Sequence, residues 1–297
     1  MQRRFPVSVA PAAPPDNDVL WARALVKFHQ GTPALRSVSL GVREGEVLAV
    51  TGPRGAGKTT LLDCLSGILT ADEGEIWFNS SPVHTLNRAG RERLRRERFG
   101  YVGPEPHLVP ELTARENVAL PLLLAGAPRR DAYTAAAEWL ERLDVAACAK
   151  LRPAELVQDQ RQRVAVARAL APRPAVLFAD EPTAPLHRES QDQVMRILLA
   201  ASRSHKITLI LATHDSNVAR YADRIAAMAD GRLAAPVTAR QEAAAPAESE
   251  PLPVAVPAAT ALGPGSGGDS EPQPDPPLEP QLDSQSEEDA ARCSTSV

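Results

Sequence analysis

At 297 residues the chain has room for one large domain or two modest ones, and 43% hydrophobic with 24% charged residues is ordinary for a globular protein. Residues 241–297 hold eleven Asp and Glu against one Arg, about −10; since the whole chain is −4, the first 240 residues carry about +6. No apolar run is long enough to span a bilayer. Three cysteines without a C-x-x-C pair give no sign of a disulfide framework or a zinc site.

The two ends of the chain differ in composition from the middle. Residues 1–17 contain four prolines that break the apolar core of a signal peptide, and we expect this segment to be disordered. Residues 239–297 form an acidic, proline-rich tail without aromatic residues, which predicts a second disordered segment that binds a partner or shields the basic body. The sequence therefore predicts a folded domain over residues 18–238, with a helical subdomain at about 85–160.

The first predicted element is a β-hairpin. Two extended segments, residues 20–28 and 35–40, flank the turn-like residues 29–33. The hairpin is expected to lie against the ligand of the loop that follows it. Phe28, at the end of the first strand, either stacks on a purine base or packs as an ordinary core aromatic, and the sequence leaves both interpretations open.

A glycine-rich loop follows the apolar run at residues 47–50, and an apolar helical stretch follows the loop. The loop matches G-x-x-x-x-G-K-[ST] in full. Its backbone N–H groups cradle phosphate oxygens, Lys58 reaches the β and γ oxygens, and the Thr59 hydroxyl ligates Mg²⁺. The sequence thus predicts that a nucleoside triphosphate is bound by Gly52, Pro53, Arg54, Gly55, Ala56, Gly57, Lys58, Thr59 and Thr60.

Helical patterns occupy the middle of the chain. Residues 88–98 contain six arginines interleaved with two glutamates and no aromatic residue, which favours a solvated helix face over a nucleic-acid or lipid site. We therefore expect no nucleic-acid partner. Residues 113–124 and 131–143 have helical apolar spacing and predict a helical insertion, and residues 161–170 predict a further helix.

Two continuous apolar runs, residues 175–179 and 207–212, are typical of parallel strands buried on both faces. Since ligands lie at the carboxyl ends of such strands, the polar residues after these runs are expected near the phosphate loop. Asp180 is the predicted second metal ligand, and Glu181 the base that deprotonates an attacking water. His214 either senses the γ-phosphate or is a structural histidine. Residues 224–233 predict two short strands joined by a turn at residues 230–231.

With these motifs in place, the chain resembles the ATP-binding subunits of ABC transporters, most closely the lipoprotein-release and macrolide-export subfamily, over about residues 20–233. Residues 52–60 resemble Walker A, residues 177–183 resemble Walker B with its glutamate, and residues 213–215 resemble the switch-histidine segment. Residues 112–122 and 162–170 also match.

The resemblance implies an α/β P-loop NTPase fold with a RecA-like, mostly parallel core sheet, an antiparallel β subdomain and a helical subdomain. It implies an ATPase that uses ATP and Mg²⁺ and works as a head-to-tail dimer, either a homodimer or a heterodimer with another ABC ATPase chain. Each ATP is then held between the P-loop of one subunit and the signature loop of the other. The dimer drives a separate membrane permease, which places this chain in the cytoplasm at the inner face of the cell membrane.

Three segments depart from the family pattern. The signature loop, residues 156–160, has Val157 in place of a serine, and Gln158 and Asp159 in place of two glycines. Asp159 is expected to repel phosphates by roughly 1–4 kcal/mol at a few ångströms. Pro104 replaces the Q-loop glutamine, with Glu105 beside it as a candidate substitute, and His187 replaces the D-loop aspartate.

Two functional hypotheses follow from these residues. The first is an ATPase subunit of an export or lipoprotein-handling complex, with Glu181 as base and with hydrolysis that is weak or depends on a partner subunit. The second is a regulatory ATP-binding module of a membrane complex with little or no hydrolysis. The intact P-loop favours the first hypothesis, and the three departures favour the second.

Overall fold

The computed structural model describes residues 18–234, and the predicted segments 1–17 and 239–297 lie outside the described residues. The strands are β1 Asp18–His29, β2 Thr32–Arg43, β3 Val47–Thr51, β4 Glu73–Phe78, β5 Ser81–Pro82, β6 Phe99–Val102, β7 Val176–Asp180, β8 Thr208–Thr213, β9 Arg224–Ala229 and β10 Arg232–Leu233. The α-helices are α1 Lys58–Leu65, α2 Arg88–Arg98, α3 Ala114–Leu124, α4 Arg129–Arg142, α5 Gln158–Leu170, α6 Arg188–His205 and α7 Ser216–Ala219.

A six-stranded sheet forms the centre of the fold, in the order β10-β9-β3-β8-β7-β6. The pairs β9-β3, β3-β8, β8-β7 and β7-β6 are parallel, and only β10 is antiparallel to its neighbour. The two predicted apolar strands are β7 and β8, and every residue of both is buried. Helices cover both faces of such a sheet, so its strands are apolar without alternation. The predicted mostly parallel core is confirmed.

A second sheet is antiparallel, in the order β2-β1-β4-β5. The predicted hairpin is confirmed as β1 and β2, each longer than expected, and its turn is tighter than predicted because Pro33 already pairs with Phe28 in the ladder. Gln30 and Gly31 make the turn with φ of 50° and 83°, the left-handed conformation that two-residue hairpin turns require. The pairing of β1 with β2 therefore extends up to the turn at Gln30 and Gly31.

Aromatic rings join the two sheets. Phe78 of β4 meets Phe99 of β6 edge-on at 5.0 Å between ring centroids, and Phe99 meets Phe178 of β7 in the same way at 5.3 Å. Edge-to-face contacts of this kind contribute about 0.5–1.5 kcal/mol beyond the area that they bury. The antiparallel sheet is thereby fixed to the core sheet close to the strands that carry the predicted site.

The helical region is formed by α3, α4 and α5. Thr113 caps α3 through a reciprocal hydrogen-bond pair with Glu116, which explains why this helix begins one residue later than predicted. The Trp139 ring of α4 meets the His205 ring of α6 edge-on, at 6.4 Å between ring centroids. Helix α2 buries none of its residues, as predicted for a solvated face. Strand β6, which falls within residues 85–160, belongs to the core sheet.

The start of α5 differs from the prediction. The sequence predicted a helix from residue 161, but α5 begins at Gln158, so three residues of the signature loop form its first turn. None of the helices within residues 18–234 is both long and apolar enough to cross a membrane.

Candidate functional site

The phosphate loop connects β3 to α1, as predicted. Its first and last glycines are required by their surroundings: a Cβ atom at Gly52 would lie 2.1 Å from Met228 O, and one at Gly57 would lie 2.5 Å from Ala34 O. Both also have positive φ, 153° and 100°. The backbones of β2 and β9 therefore pack directly against the loop and restrict its conformation.

Lys58 lies at the first position of α1 and is buried. Its Nζ donates to Gly52 O at 2.8 Å and to Pro53 O at 3.0 Å, which holds the ammonium over the loop. Of the other predicted loop residues, Pro53, Arg54, Gly55 and Thr59 are exposed, Thr60 is half-buried and Ala56 is buried. The loop thus presents its backbone and Thr59 to a ligand. The Lys58 ammonium stays close to the carbonyl oxygens of the loop.

Thr59 and Asp180 come together across the edge of the core sheet. Thr59 Oγ1 donates to Asp180 Oδ2 at 2.6 Å, and the other carboxylate oxygen, Oδ1, is buried without a hydrogen-bond partner in the described part of the chain. Burial raises the pKa of Asp180 above its ordinary value, and the negative charge of the adjacent Glu181 raises this pKa further. A hydroxyl beside a carboxylate with a free buried oxygen is the donor set that Mg²⁺ prefers, so these residues fit that ion.

Glu181 is in contact with His214. Glu181 Oε1 accepts a hydrogen bond from His214 N at 3.0 Å and lies 2.7 Å from His214 Nδ1, while Thr213 Oγ1 donates to Oε2 at 3.3 Å. Glu181 has φ of 46°, a left-handed conformation that costs a non-glycine residue about 1–3 kcal/mol. Neighbouring residues must hold it there, and the carboxylate is correspondingly well fixed.

Phe28 lies apart from this network, at the end of β1. Its side chain is 45% exposed, which excludes the interpretation that it packs in the core. Its backbone N–H donates to Asp72 Oδ2 at 2.7 Å, and Lys27 pairs with the same carboxylate at 2.9 Å. The ring is therefore held on the surface and free to stack, and its contact with a purine stays a prediction.

Val157 occupies the N-cap position of α5, where the family has a serine. A valine cannot accept a hydrogen bond from the first turn, and its side chain is 61% exposed. At this cap the side chain of Gln160 partly compensates, because its Oε1 accepts a hydrogen bond from Val157 N at 3.1 Å. The signature loop has therefore lost both a cap and a hydroxyl.

The Asp159 carboxylate, which the sequence predicted to repel phosphates, lies beside an arginine in the structure. Its Oδ2 lies 2.7 Å from Arg163 Nε, one turn further along α5. The other two guanidinium nitrogens of Arg163 donate to Leu143 O at 3.1 Å and to Ser190 Oγ at 2.8 Å. Because the charge of Asp159 is balanced by a guanidinium on its own helix, the expected repulsion of phosphates is reduced.

The other two departures lie on loops next to the core sheet. Glu105, the candidate substitute for the missing glutamine, is 79% exposed, and its Oε2 lies 3.6 Å from His107 Nε2 in the same loop. Glu105 thus faces solvent beside a residue of its own loop. His187 is the N-cap residue of α6 and makes no capping hydrogen bond, whereas the aspartate of the family pattern would offer a carboxylate acceptor.

One residue with a direct link to the site was missed from the sequence. Gln162 is fully buried in α5 and bonds to the residue after Glu181. Glutamine on a helix is ordinarily exposed, so composition gave no signal. Its burial follows from how α5 packs against the core sheet, so no local sequence pattern could have identified it.

The fold and the geometry of the loop define a P-loop nucleotide-binding domain. A family described as "ABC transporter" matches residues 35–184, and the chain belongs to this family. Family membership confirms the predicted class, an ATP-binding ABC ATPase subunit.

Two curated relatives are lipoprotein-release proteins, in agreement with the predicted subfamily. The lipoprotein-releasing system ATP-binding protein LolD 2 of Caulobacter vibrioides is 40% identical over 201 residues, 68% of this chain and 88% of that protein. The lipoprotein-releasing system ATP-binding protein LolD of Paramagnetospirillum magneticum is 38% identical over 211 residues, 71% of this chain and 93% of that protein.

Solved structures confirm the predicted fold. A dimeric structure of the ATP-binding cassette MJ0796 bound to ADP and Pi has a TM-score of 0.71 and 31% identity, and covers 74% of this chain and 99% of its own. The structure of cbiO1 from Clostridium perfringens, part of the transporter complex cbiONQ, has a TM-score of 0.69 and 28% identity, with 77% and 91% covered.

Proposed function

We propose that this chain is the ATP-hydrolysing subunit of a lipoprotein-release type complex, bound to the inner face of the cell membrane through its permease. The arrangement of Glu181 supports hydrolysis: a carboxylate at the end of a buried strand, oriented by His214 and Thr213, beside a complete phosphate loop. The identity to two lipoprotein-releasing ATP-binding proteins supports the kind of complex. The folded domain is proposed to extend over residues 18–238.

Each residue has a role in this proposal. The loop from Gly52 to Thr60 binds the phosphates, and Lys58 neutralises their charge. Thr59 and Asp180 hold Mg²⁺, which would draw electron density from the phosphate oxygens. Glu181 accepts a proton from the attacking water, and His214 keeps the Glu181 carboxylate in position.

The regulatory module with little or no hydrolysis is the second candidate. It is favoured by Val157 at an uncapped helix start and by Pro104 in place of the Q-loop glutamine. A homodimer would carry the altered signature loop in both sites. A heterodimer with an intact ABC ATPase chain would place the P-loop of this chain against an intact signature loop, and its activity would require that partner.

Replacing Glu181 with glutamine tests hydrolysis. Glu181→Gln should lower ATP turnover by about 10²–10⁴-fold, the contribution of a positioned general base, and leave ATP binding in place. Steady-state phosphate release and equilibrium nucleotide binding measure the two effects. Lys58→Ala is the matched loss-of-binding control. Absence of turnover with and without a partner subunit would overturn the proposal in favour of the regulatory module.

Stacking by Phe28 is a separate prediction. Phe28→Ala should weaken ATP binding by about 1–3 kcal/mol, the range measured for a base on an aromatic ring. Phe28→Trp should retain the affinity, because a larger ring preserves the stacking surface. Equal affinities of the alanine variant and the wild type would show that the ring does not contact the base.

A further inference from the structure

Gln162 connects two loops that belong to different parts of the site. Its Nε2 donates to Gly103 O and to Pro182 O, each at 3.0 Å. Gly103 begins the loop after β6, and Pro182 directly follows Glu181 at the end of β7. A carboxamide nitrogen carries two hydrogens, so one group is fully used in tying these loops together.

The bond to Pro182 acts on the turn that holds Glu181. A left-handed residue such as Glu181 persists only where several contacts fix its backbone. Glu181 N donates to Ala212 O at 2.9 Å, and Ala184 N donates back to Glu181 O at 3.1 Å. Gln162 adds the next carbonyl along the chain, so the turn is fixed from β8, from within and from α5.

The loop after β6 is positioned by the same helix. Besides the bond from Gln162 to Gly103, Arg168 of α5 donates to Pro106 O and His107 O, both at 2.8 Å. Pro104 and Pro106 have no N–H to donate, so this loop is held through its carbonyl oxygens. A displacement of Gly103 must therefore stretch or carry along the nitrogen that holds Pro182.

The oxygen of the Gln162 side chain indicates what the side chain is used for. Gln162 Oε1 is buried and has no hydrogen-bond partner among residues 18–234, which is an unfavourable environment for an amide. An apolar residue of the same length would fill the space without that penalty. The two donated hydrogen bonds are therefore the contribution of this residue.

We infer that Gln162 is a positioning residue that couples the loop after β6 to the turn of Glu181, through the two hydrogen bonds of a single amide. The inference rests on the proposed function, because the turn carries the proposed base. It assigns to the interior of α5 a link between the Q-loop segment at Pro104 and hydrolysis.

The variant Gln162→Glu tests this link, because it has nearly the same shape and lacks the amide donors. Gln191→Glu is the matched control: Gln191 Nε2 also donates to two carbonyls, Thr183 O and Leu186 O at 3.1 Å, but both lie in the loop after β7. Hydrogen–deuterium exchange of the segments 100–109 and 181–187 reports on the loops without requiring turnover.

In Gln162→Glu, exchange should rise by about tenfold in both segments, and in Gln191→Glu only at residues 183–187, beyond the turn that holds Glu181. ATP turnover should fall by about tenfold in Gln162→Glu with KM for ATP within about twofold, because the phosphate loop is untouched. Gln191→Glu should keep its turnover within about twofold of wild type. If the glutamate variant does not fold, Gln162→Met replaces it, because methionine keeps the length and volume of the side chain. This variant should show the same increase in exchange in both segments.

Two results would overturn the coupling: increased exchange in only one of the two segments, or loosening of both with unchanged turnover. A purely structural role would lower the melting temperature and leave turnover of the folded protein intact. If the wild-type chain shows no turnover, the proposed function fails, whereas the exchange of the two segments still decides whether Gln162 joins them.

Discussion

The two halves of the candidate site are stabilised in different ways. On the phosphate-loop side, functional side chains contact one another directly, Thr59 with Asp180 at 2.6 Å and Glu181 with His214 at 2.7 Å. On the signature-loop side, α5 starts without a side-chain cap, and the polar contacts lie one turn inside the helix, at Gln162 and Arg163. The signature loop thus keeps its position in the fold but lacks the serine and the two glycines of the family pattern.

Among the tests of this contrast, restoring the serine and glycines of the signature loop has the largest expected effect. Val157→Ser with Gln158→Gly and Asp159→Gly should raise ATP turnover at least about tenfold, because a hydrogen bond to a charged phosphate contributes about 1.5–3 kcal/mol. Steady-state phosphate release measures the change.

Two further variants separate the contributions within that restoration. Val157→Ala removes the exposed valine without adding a hydroxyl and should leave turnover unchanged. Val157→Ser with Gln158→Gly, which keeps the Asp159–Arg163 pair, should recover most of the gain. If the triple variant turns over ATP no faster than the wild type, the signature loop does not limit hydrolysis.

The pair between Asp159 and Arg163 gives the next effect. Asp159→Asn should lower the free energy of unfolding by about 1–2 kcal/mol, between the values for exposed and buried ion pairs, because a mostly buried guanidinium loses its counter-charge. Urea unfolding measures it. Asp144 provides the matched control, since its largely exposed carboxylate lies 3.9 Å from Arg163. Asp144→Asn should change stability by less than about 0.5 kcal/mol, and equal effects would refute the assignment.

The uncapped start of α6 gives the smallest effect. His187→Asp should stabilise the protein by about 1 kcal/mol, because an aspartate accepts a hydrogen bond from the first turn of the helix. The melting temperature should rise by about 2–4 °C for a domain of this size. His187→Ala controls for loss of the imidazole. If the alanine and aspartate variants melt together, the missing cap does not limit the stability of α6.

Strands and loops with strong local signals were predictable from the sequence. The apolar runs of β7 and β8 and the spacing of the glycine-rich loop are strong local patterns, so the edge of the core sheet was placed correctly. The start of α5 was not predictable in this way, because Val157 gives none of the usual N-cap signal.

Errors in the site follow from that missed helix start. With Asp159 assigned to a loop, its carboxylate was expected to face phosphates, whereas on a helix the spacing of four residues to Arg163 predicts an ion pair. The burial of Gln162 depends on how α5 packs on β6, which no local pattern encodes. Tertiary structure was needed to identify this link.

The contact between Trp139 and His205 offers a way to observe the helical region alone. Two of the three tryptophans, Trp21 and Trp77, are cross-strand neighbours in the antiparallel sheet, and the third lies between α4 and α6. With Trp21 and Trp77 replaced by phenylalanine, the protein would emit from a single fluorophore beside an imidazole. Its intensity would follow movement of α4 against α6 during a reaction cycle, without an attached dye.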